Sequence, residues 1–401
     1  MIKKDIDSLE PDDIRSLIFD KVQESRTIEY KEQLPGKSDK DRKEFLADVS
    51  SFANAGGGDI LYGVVEKRGD ENLPTGILES VPGLSGVETG DPEILRLENI
   101  IRTGIEPRVP KLQFRAIGGF PEGPVIVLRI WRSWMLPHMV TLMGHDRFYS
   151  RSSNGKCSLD VSELRSAFLL NESMAEKIRR FRDERLTRII ANEGPLPLRE
   201  GPKMLLHLHP IQFGYPEIQR WVGKHDNEIR DLLSPINSGG YNQRYNIDGL
   251  LTYDGPSESR PVRGYTQLFR TGAIEAVVSD LGTITKMSGF KVEEDLLYYV
   301  GSYLKAQEKL GVETPIVVML SLLGLKGCAI IGRPIFDDDD RHYIDRDLVI
   351  VPDVLMEEYH GEELKILMRP VFDALWQASG WDSSMSYDSQ GQYIDQPPRS
   401  P

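Results

Sequence analysis

The chain has 401 residues and a formal net charge of −13, so it can form two or three domains and is not a uniformly basic nucleic-acid binder. Its two cysteines, Cys157 and Cys328, lie too far apart in sequence for a metal-ligand cluster and give no disulfide framework, which favours a reducing, cytoplasmic location. No apolar run approaches the length of a membrane span and the N-terminus lacks a secretory pattern, so we expect no membrane partner.

The first predicted elements place three charged residues close together. A short helix over 12–21 precedes a strand over 26–34, in which alternation puts Glu29 and Lys31 on one face. An amphipathic helix over 42–55 follows and ends at three glycines. A buried strand over 59–66 then carries Glu66 at its far end.

The remaining elements predict a mixed α/β chain with two domains. The run "GPLPLREGP" cannot extend a helix, so we expect a linker at 193–202 between a first domain, 1–192, and a second α/β domain of unknown role, 203–380. The polar segment 381–401 is predicted to be a disordered tail. Before the linker, the pattern predicts a helix over 93–105, strands over 112–117, 124–131 and 146–152, and a helix within 158–190.

Charge is unevenly distributed along the chain. Residues 101–190 contain 16 Lys and Arg against 9 Asp and Glu, a local excess of +7, whereas residues 201–401 contain 19 against 29, an excess of −10. The first region could face phosphates, although such a run also fits ordinary solvated helix faces.

Three carboxylates are candidates for a metal site. Glu24 precedes the first strand, Glu29 lies on it and Glu66 ends another, and oxygen ligands of this kind suit Mg²⁺ or Mn²⁺. Lys31 could stabilise charge that develops on a phosphate. The alternative is that all four are exposed residues at strand ends.

Several blocks of sequence together resemble the Schlafen AlbA-type domain, over about residues 20–170. The blocks occur in the order of that family: "ESRTIEYKE", "FLADVSSFANAGGGDILYGVVE", "IIRTGIEPRVP", "PVIVLRIWRSWMLP" and "RFYSRSSNGKCSLDVSELRSAF". The resemblance implies an N-terminal Schlafen AlbA-like domain of α/β fold.

The resemblance implies two classes of function. Vertebrate Schlafen proteins include metal-dependent endoribonucleases that cut transfer RNA, and their pattern Glu-x4-Glu-x-Lys is matched by Glu24, Glu29 and Lys31. Glu66 stands where those nucleases carry Asp. We therefore predict a nucleic-acid-binding protein that cleaves structured RNA, transfer RNA first, with Glu24, Glu29, Lys31 and Glu66 as catalytic residues. The alternative is a non-catalytic DNA-binding regulator or defence component, since many bacterial members are described as DNA-binding or transcriptional regulators.

Basic residues alternate with aromatics from Trp131 to Tyr149, as on surfaces that contact phosphates and bases. The alternative for the aromatics is core packing, and for the histidine a solvated loop. The predicted nucleic-acid contacts are Arg129, Arg132, His138, Arg147, Tyr149 and Arg151.

Three further expectations concern ligands and assembly. The glycine run follows a helix and precedes a strand, the reverse of a phosphate-cradling loop, so ATP binding is a third and disfavoured function. His207 and His209 share a strand face but have no evident third ligand, and we interpret them as structural or surface residues. Vertebrate relatives carry two AlbA-like lobes, so we expect this chain to form a homodimer.

Overall fold

The computed structural model describes residues 1–2, 4–69, 74–152, 155–211, 227–255, 260–279, 286–332, 342–357, 361–388 and 390–394. The chain divides into two compact units, Met1–Ala175 (unit 1) and Glu176–Pro401 (unit 2). The division falls inside a helix and before the linker predicted at 193–202. The reason is that Leu186 and Ile189, late in this helix, belong to a hydrophobic core of unit 2.

Both units mix helices and strands, as predicted. No helix among the described residues is long and apolar enough to cross a membrane. The helices are α1 Pro11–Phe19, α2 Asp39–Asn54, α3 Asp91–Gly104, α4 Val161–Ile190, α5 Asn227–Leu232, α6 Gly289–Lys309, α7 Gly361–Leu367 and α8 Arg369–Gln377, with a 3₁₀ turn at Ile6–Ser8.

The described strands of unit 1 form two four-stranded sheets and one separate antiparallel pair. The first sheet has the order β1-β2-β7-β6, the second has the order β10-β9-β8-β5, and β3 pairs with β4. Their bounds are β1 Ile28–Lys31, β2 Gly58–Tyr62, β3 Val65–Arg68, β4 Pro74–Ser80, β5 Ile105–Glu106, β6 Leu112–Ile117, β7 Val125–Ile130, β8 Met139–Leu142, β9 His145–Ser152 and β10 Gly155–Ser158.

Helix α2 is the central element of unit 1. Ser38 caps its N-terminus by accepting a hydrogen bond from the Asp41 amide. Its apolar side chains, including Phe45 and Phe52, pack with residues of the first sheet and with Val140 of the second. Each sheet therefore buries one face on α2, and strands β1, β9 and β10 bring their polar side chains to the same helix.

The strand predicted over 59–66 is in fact two strands. Gly63 adopts a φ of +90° and lies against the backbone of Gly83, so the chain turns between β2 and β3. Glu66 consequently belongs to β3, which pairs with β4, and does not end the buried strand β2.

Unit 2 is built on one large, mostly antiparallel sheet. Its described strands have the order β12-β13-β14-β15-β11-β17-β19, and β20 also pairs with β17. Helices α6, α7 and α8 pack on one face and the end of α4 on the other. The bounds are β11 Lys203–Pro210, β12 Asn242–Tyr245, β13 Gly249–Asp254, β14 Gly264–Phe269, β15 Ile274–Ser279, β16 Lys286–Ser288, β17 Ile316–Leu323, β18 Ala329–Ile331, β19 Leu348–Ile350 and β20 Val354–Met356.

Several described side chains of the segment predicted to be a disordered tail pack into the interior of unit 2. Glu293 of α6 is fully buried and accepts hydrogen bonds from Trp376 Nε1 at 2.6 Å, Ser384 Oγ at 2.6 Å and Ser386 Oγ. Trp381 also packs against the core. The prediction was wrong for residues 381–388 and 390–394 because their few aromatic and hydroxyl side chains find buried partners; residues 389 and 395–401 lie outside the described part.

Candidate functional site

Glu29 and Lys31 lie side by side on the face of β1 that meets α2, as the alternation predicted. Lys31 Nζ is 2.6 Å from Glu29 Oε1, and Arg151 of β9 donates to the other carboxylate oxygen. The Arg151 guanidinium lies 4.0 Å from the centre of the Phe52 ring. Glu29 is only 8 % exposed, so both of its oxygens are held by cations inside the fold.

Burial and ion pairing act in opposite directions on this pair. Burial alone would raise the pKa of Glu29, but Lys31 and Arg151 outweigh it and the pKa is lowered. Burial would lower the pKa of Lys31, but Asp48 and Glu29 raise it above its usual value. Both groups therefore stay charged at neutral pH.

Asp48 of α2 joins this pair to a further lysine. Its Oδ2 is 3.4 Å from Lys31 Nζ, and its Oδ1 is 2.6 Å from Lys156 Nζ on β10. Burial and the nearby Glu29 raise the pKa of Asp48, against the lowering effect of both lysines. Lys156 lies directly opposite Arg151 in the β9–β10 ladder. We call Glu29, Lys31, Asp48, Arg151 and Lys156 the open cluster.

Asp48 and Lys156 were not predicted from the sequence, although one signal was available for Asp48. It lies three residues after Phe45 and four before Phe52, on the apolar face of an amphipathic helix. A carboxylate in that position is buried on folding and needs a charged partner. No comparable signal marks Lys156, because its position depends on the pairing of β10 with β9.

Glu24 and Glu66 are brought together by Gly76 of β4. The Glu24 amide donates to the Gly76 carbonyl at 2.7 Å, and the Gly76 amide donates to Glu66 Oε2 at 3.0 Å. Glu24 Oε1 accepts a hydrogen bond from the Tyr30 amide at 2.7 Å. Each carboxyl group is therefore fixed to the backbone through one of its oxygens.

Glu24 also experiences the charges of the predicted site. Burial raises its pKa, and the nearby Glu66 and Glu29 raise it further, whereas the Tyr30 amide and Lys31 lower it. The four residues singled out in the sequence thus share one neighbourhood, because Glu66, Glu29 and Lys31 are all close enough to act on the pKa of Glu24.

The predicted magnesium or manganese triad does not fit this arrangement. In the part of the chain that the structure describes, no group of three or more His, Cys, Asp or Glu side chains could hold a metal ion. Both oxygens of Glu29 face Lys31 and Arg151, so this carboxylate is not directed at a shared point with Glu24 and Glu66. A metal-ligand group of Glu24, Glu29 and Glu66 is therefore not assembled.

Comparison with known families identifies the segment that carries these residues. The family model described as Schlafen, AlbA_2 matches residues 24–160. This segment is a Schlafen AlbA_2 domain. It contains the whole open cluster, together with Glu24 and Glu66.

The chain was also compared with solved structures and with curated proteins. Among solved structures, the chain is similar to the N-terminal domain of a protein from Nitrosomonas europaea that is related to the ATP-dependent DNA helicase RecG. The identity is 21 %, the match covers 36 % of this chain and 94 % of that one, and the TM-score is 0.26. The search of curated proteins found no match.

Arg129 does not lie on a surface of the AlbA_2 domain, contrary to the prediction. It is 5 % exposed and makes a two-point ion pair with Asp59, at 2.7 and 3.1 Å. It also donates to the carbonyls of Ile2 and Lys4 at 2.8 Å. Its donors are used to fix the N-terminal segment, which corrects its assignment as a nucleic-acid contact.

His138 is likewise buried and not available to a ligand. Its ring Nδ1 is 2.7 Å from the Pro107 carbonyl, and burial lowers its pKa, so the ring is neutral near pH 7. Its backbone is bonded to Asn54 of α2, which also donates to the Tyr149 carbonyl at 2.8 Å. The Asn54 side chain therefore joins the end of α2 to β9 and to the residue before β8. The predicted contact by His138 is wrong.

The other predicted contacts differ in exposure. Arg132 and Arg147 are exposed, Tyr149 is half-buried with its hydroxyl 2.7 Å from His145 Nε2, and Arg151 is buried in the open cluster. Arg132 and Arg147 are therefore the members of this set that solvent and a ligand can reach.

The glycine run makes a tight turn from α2 into β2. A Cβ on Gly57, whose φ is +73°, would approach the Ile130 carbonyl to 2.7 Å, and a Cβ on Gly58 would meet the Phe52 ring at 2.4 Å. Close backbone and ring packing thus accounts for the absence of side chains at both positions.

Part of the basic segment 101–190 serves the interior of unit 2. Arg185 makes a two-point ion pair with the fully buried Glu275, at 2.6 and 2.7 Å. His207 Nε2 lies 3.0 Å from the same carboxylate and the Tyr265 hydroxyl donates to it at 2.8 Å. We call Arg185, His207, Tyr265 and Glu275 the closed cluster. His207 is thus structural, as predicted, and the Arg185 charge is lost to any nucleic-acid surface.

Proposed function

We propose that the Schlafen AlbA_2 domain of this chain binds nucleic acid beside the open cluster. The observation that carries the proposal is that Lys31 is both held in an ion pair and partly exposed to solvent. Its ammonium is fixed 2.6 Å from Glu29, yet 30 % of its side chain is exposed. A positioned cation that solvent can reach is suited to a phosphate oxygen. The exposed Arg132 and Arg147 of the same domain add charge for neighbouring phosphates.

Binding is tested with the full chain by fluorescence anisotropy, using labelled transfer RNA, single-stranded RNA and duplex DNA over a range of salt concentrations. We expect RNA to bind, with an affinity that falls as salt rises. Lys31→Gln should weaken binding, whereas Lys4→Gln should not, because Lys4 pairs with Asp13 outside this site. Failure of the parent chain to bind any of the three probes would refute the proposal, and a preference for duplex DNA would favour the regulator over the RNA enzyme.

RNA cleavage is the finer part of the proposal. It is supported by Glu24, whose pKa is raised by burial and by two neighbouring carboxyl groups, Glu66 and Glu29. A carboxyl group with a raised pKa among other charged groups is suited to proton transfer near neutral pH. Among the described residues, Glu24 and Glu66 each keep one carboxyl oxygen beyond the backbone hydrogen bond that fixes them.

Cleavage is tested by incubating the full chain with transfer RNA, with Mg²⁺, with Mn²⁺ and with chelator. We expect Glu24→Gln to lower the rate roughly 10²-fold, the scale for losing one preorganised polar group. The matched control is Glu79→Gln, an exposed glutamate on β4. If the parent chain binds RNA and leaves it intact under every condition, it is a binding protein without nuclease activity.

A homodimer is also proposed, because one AlbA_2 lobe contacts only one side of a bound strand. Light scattering with and without RNA tests it. A mass of one chain, at micromolar concentration in the presence of RNA, would contradict it.

A further inference from the structure

Lys156 and Lys31 are exposed to solvent to a similar extent. Its side chain is 26 % exposed, and that of Lys31 is 30 % exposed. The two residues come from different sheets, β10 and β1. They are joined because each has its ammonium near one oxygen of the same carboxylate, Asp48, at 2.6 and 3.4 Å.

Both ammonium groups keep donor capacity for a ligand. Lys156 Nζ lies 2.6 Å from Asp48 Oδ1 and 3.4 Å from the Glu44 carbonyl. Lys31 Nζ has the Glu29 and Asp48 carboxylates as neighbours. An ammonium has three N–H donors, so each lysine retains one beyond these contacts with the described residues.

Burying the Asp48 carboxylate costs free energy, which suggests that its position has a role. It is 3 % exposed on the apolar side of α2, and an ionised carboxylate in that environment needs compensating charges. Its Oδ1 holds Lys156 at 2.6 Å, and its Oδ2 adds a second contact, at 3.4 Å, to Lys31, which Glu29 also holds. Because these long side chains are already fixed before binding, less side-chain conformational entropy is lost when a ligand binds.

We infer that Lys31 and Lys156 form a two-lysine contact for the phosphates of single-stranded nucleic acid and that Asp48 is the residue that positions them. This inference rests on the proposed nucleic-acid binding and deepens it by assigning Asp48 and Lys156. The ligand class is a phosphodiester chain, because two separate ammonium groups, each with a spare donor, can contact more than one phosphate of a strand.

Asp48→Asn separates positioning from simple charge. The substitution keeps the shape of the side chain and removes a negative charge 2.6 Å from Lys156. If Asp48 only repelled phosphate, its loss would tighten binding. If Asp48 positions the lysines, its loss weakens binding even though the domain becomes more positive.

The experiment measures anisotropy of a fluorescein-labelled single-stranded RNA with the full chain and its variants over a salt series. For Lys156→Gln we expect the slope of log K against log salt to fall by about 0.7 and the affinity to drop roughly fivefold near 0.1 M salt. Asp48→Asn should weaken binding by at least as much, and Lys156→Arg should restore the slope. Lys4→Gln is the control, since Lys4 is 2.6 Å from Asp13 in a separate pair of the same unit.

The outcomes distinguish the two proposals. A parent chain that binds no RNA overturns the proposed function and this inference together. A parent chain that binds, with an unchanged slope in Lys156→Gln and unchanged affinity in Asp48→Asn, overturns the inference alone, as does tighter binding by Asp48→Asn. If Asp48→Asn has lost its thermal unfolding transition, the partly exposed Lys156→Gln decides the question.

Discussion

The open cluster of unit 1 and the closed cluster of unit 2 use similar chemistry in different surroundings. Each holds a buried carboxylate in an ion pair with arginine or lysine. In the closed cluster Glu275 and His207 have no exposed area, and every acceptor oxygen of Glu275 is used by Arg185, His207 or Tyr265. In the open cluster Lys31 and Lys156 are about a quarter to a third exposed.

The difference shows what exposure adds to an ion pair. A pair that is sealed inside the fold offers no donor that a ligand can reach, so its effect is confined to stability and specificity of the fold. A pair whose cation reaches solvent keeps donors that a ligand can take. Burial of the cation, more than the presence of a carboxylate partner, thus separates a structural cluster from a candidate binding site.

The largest effect should come from breaking the closed cluster. Arg185→Ala leaves Glu275 buried with its main counter-ion removed, and we expect unit 2 to lose about 3–5 kcal/mol of stability. Hydrogen exchange of peptides from β11 and β15 measures this loss within unit 2. Arg188→Ala, an exposed residue on the same helix, should change stability by no more than about 0.5 kcal/mol. Equal effects of the two substitutions would show that the closed cluster contributes nothing special.

Acid should weaken the closed cluster next. The Arg185 and His207 contacts outweigh burial and lower the pKa of Glu275 to about 2. A lowered carboxyl pKa adds stability above the unfolded-state pKa, and this stability is lost as pH falls toward 2. We expect a loss on the order of 3 kcal/mol across that window, read by hydrogen exchange of β15. Glu275→Gln should flatten this dependence; a parent chain with the same stability at pH 2.5 and pH 6 would contradict the assignment.

Sequence patterns predicted single elements better than they predicted the meeting of elements. Alternation along β1 was enough to place Glu29 beside Lys31, and the prediction of a mixed α/β fold with an N-terminal AlbA-type domain is confirmed. Arg129, in a strand, and His138, in the loop before β8, were misassigned because the sequence does not show whether such a side chain faces solvent or a buried acceptor. Lys156 was missed because only the register of β9 and β10 brings it to Asp48.

Substitution of Gly76 should have a smaller effect, which is specific to the carboxyl groups of Glu24 and Glu66. Its φ is +71°, and a Cβ there would lie 3.3 Å from Glu24 Cβ. Gly76→Ala and Gly86→Ala should each lower the free energy of unfolding by about 1–2 kcal/mol, because both positions have a positive φ and that of Gly86 is +75°. No atom lies within 4 Å of a Cβ at Gly86, so only Gly76→Ala should move Glu24. NMR titration of Glu24 should then show its raised pKa moving toward the ordinary value in Gly76→Ala and staying unchanged in Gly86→Ala. The same titration curve in both variants would remove Gly76 from the site.

The smallest effect should come from an exposed cation that no carboxylate holds. Arg147 is exposed on β9, and among the described residues no acidic side chain pairs with it. Its long side chain must lose rotamer freedom when it meets a phosphate, whereas the lysines of the open cluster have already lost theirs. Arg147→Gln should therefore weaken RNA binding only about threefold or less near 0.1 M salt, less than Lys156→Gln, with no change in thermal unfolding. Arg199→Gln, an exposed arginine of unit 2, is the control and should leave binding unchanged. A larger loss for Arg147→Gln than for Lys156→Gln would mean that fixation by a buried carboxylate gives a cation no advantage, and the contrast between held and unheld cations would fail.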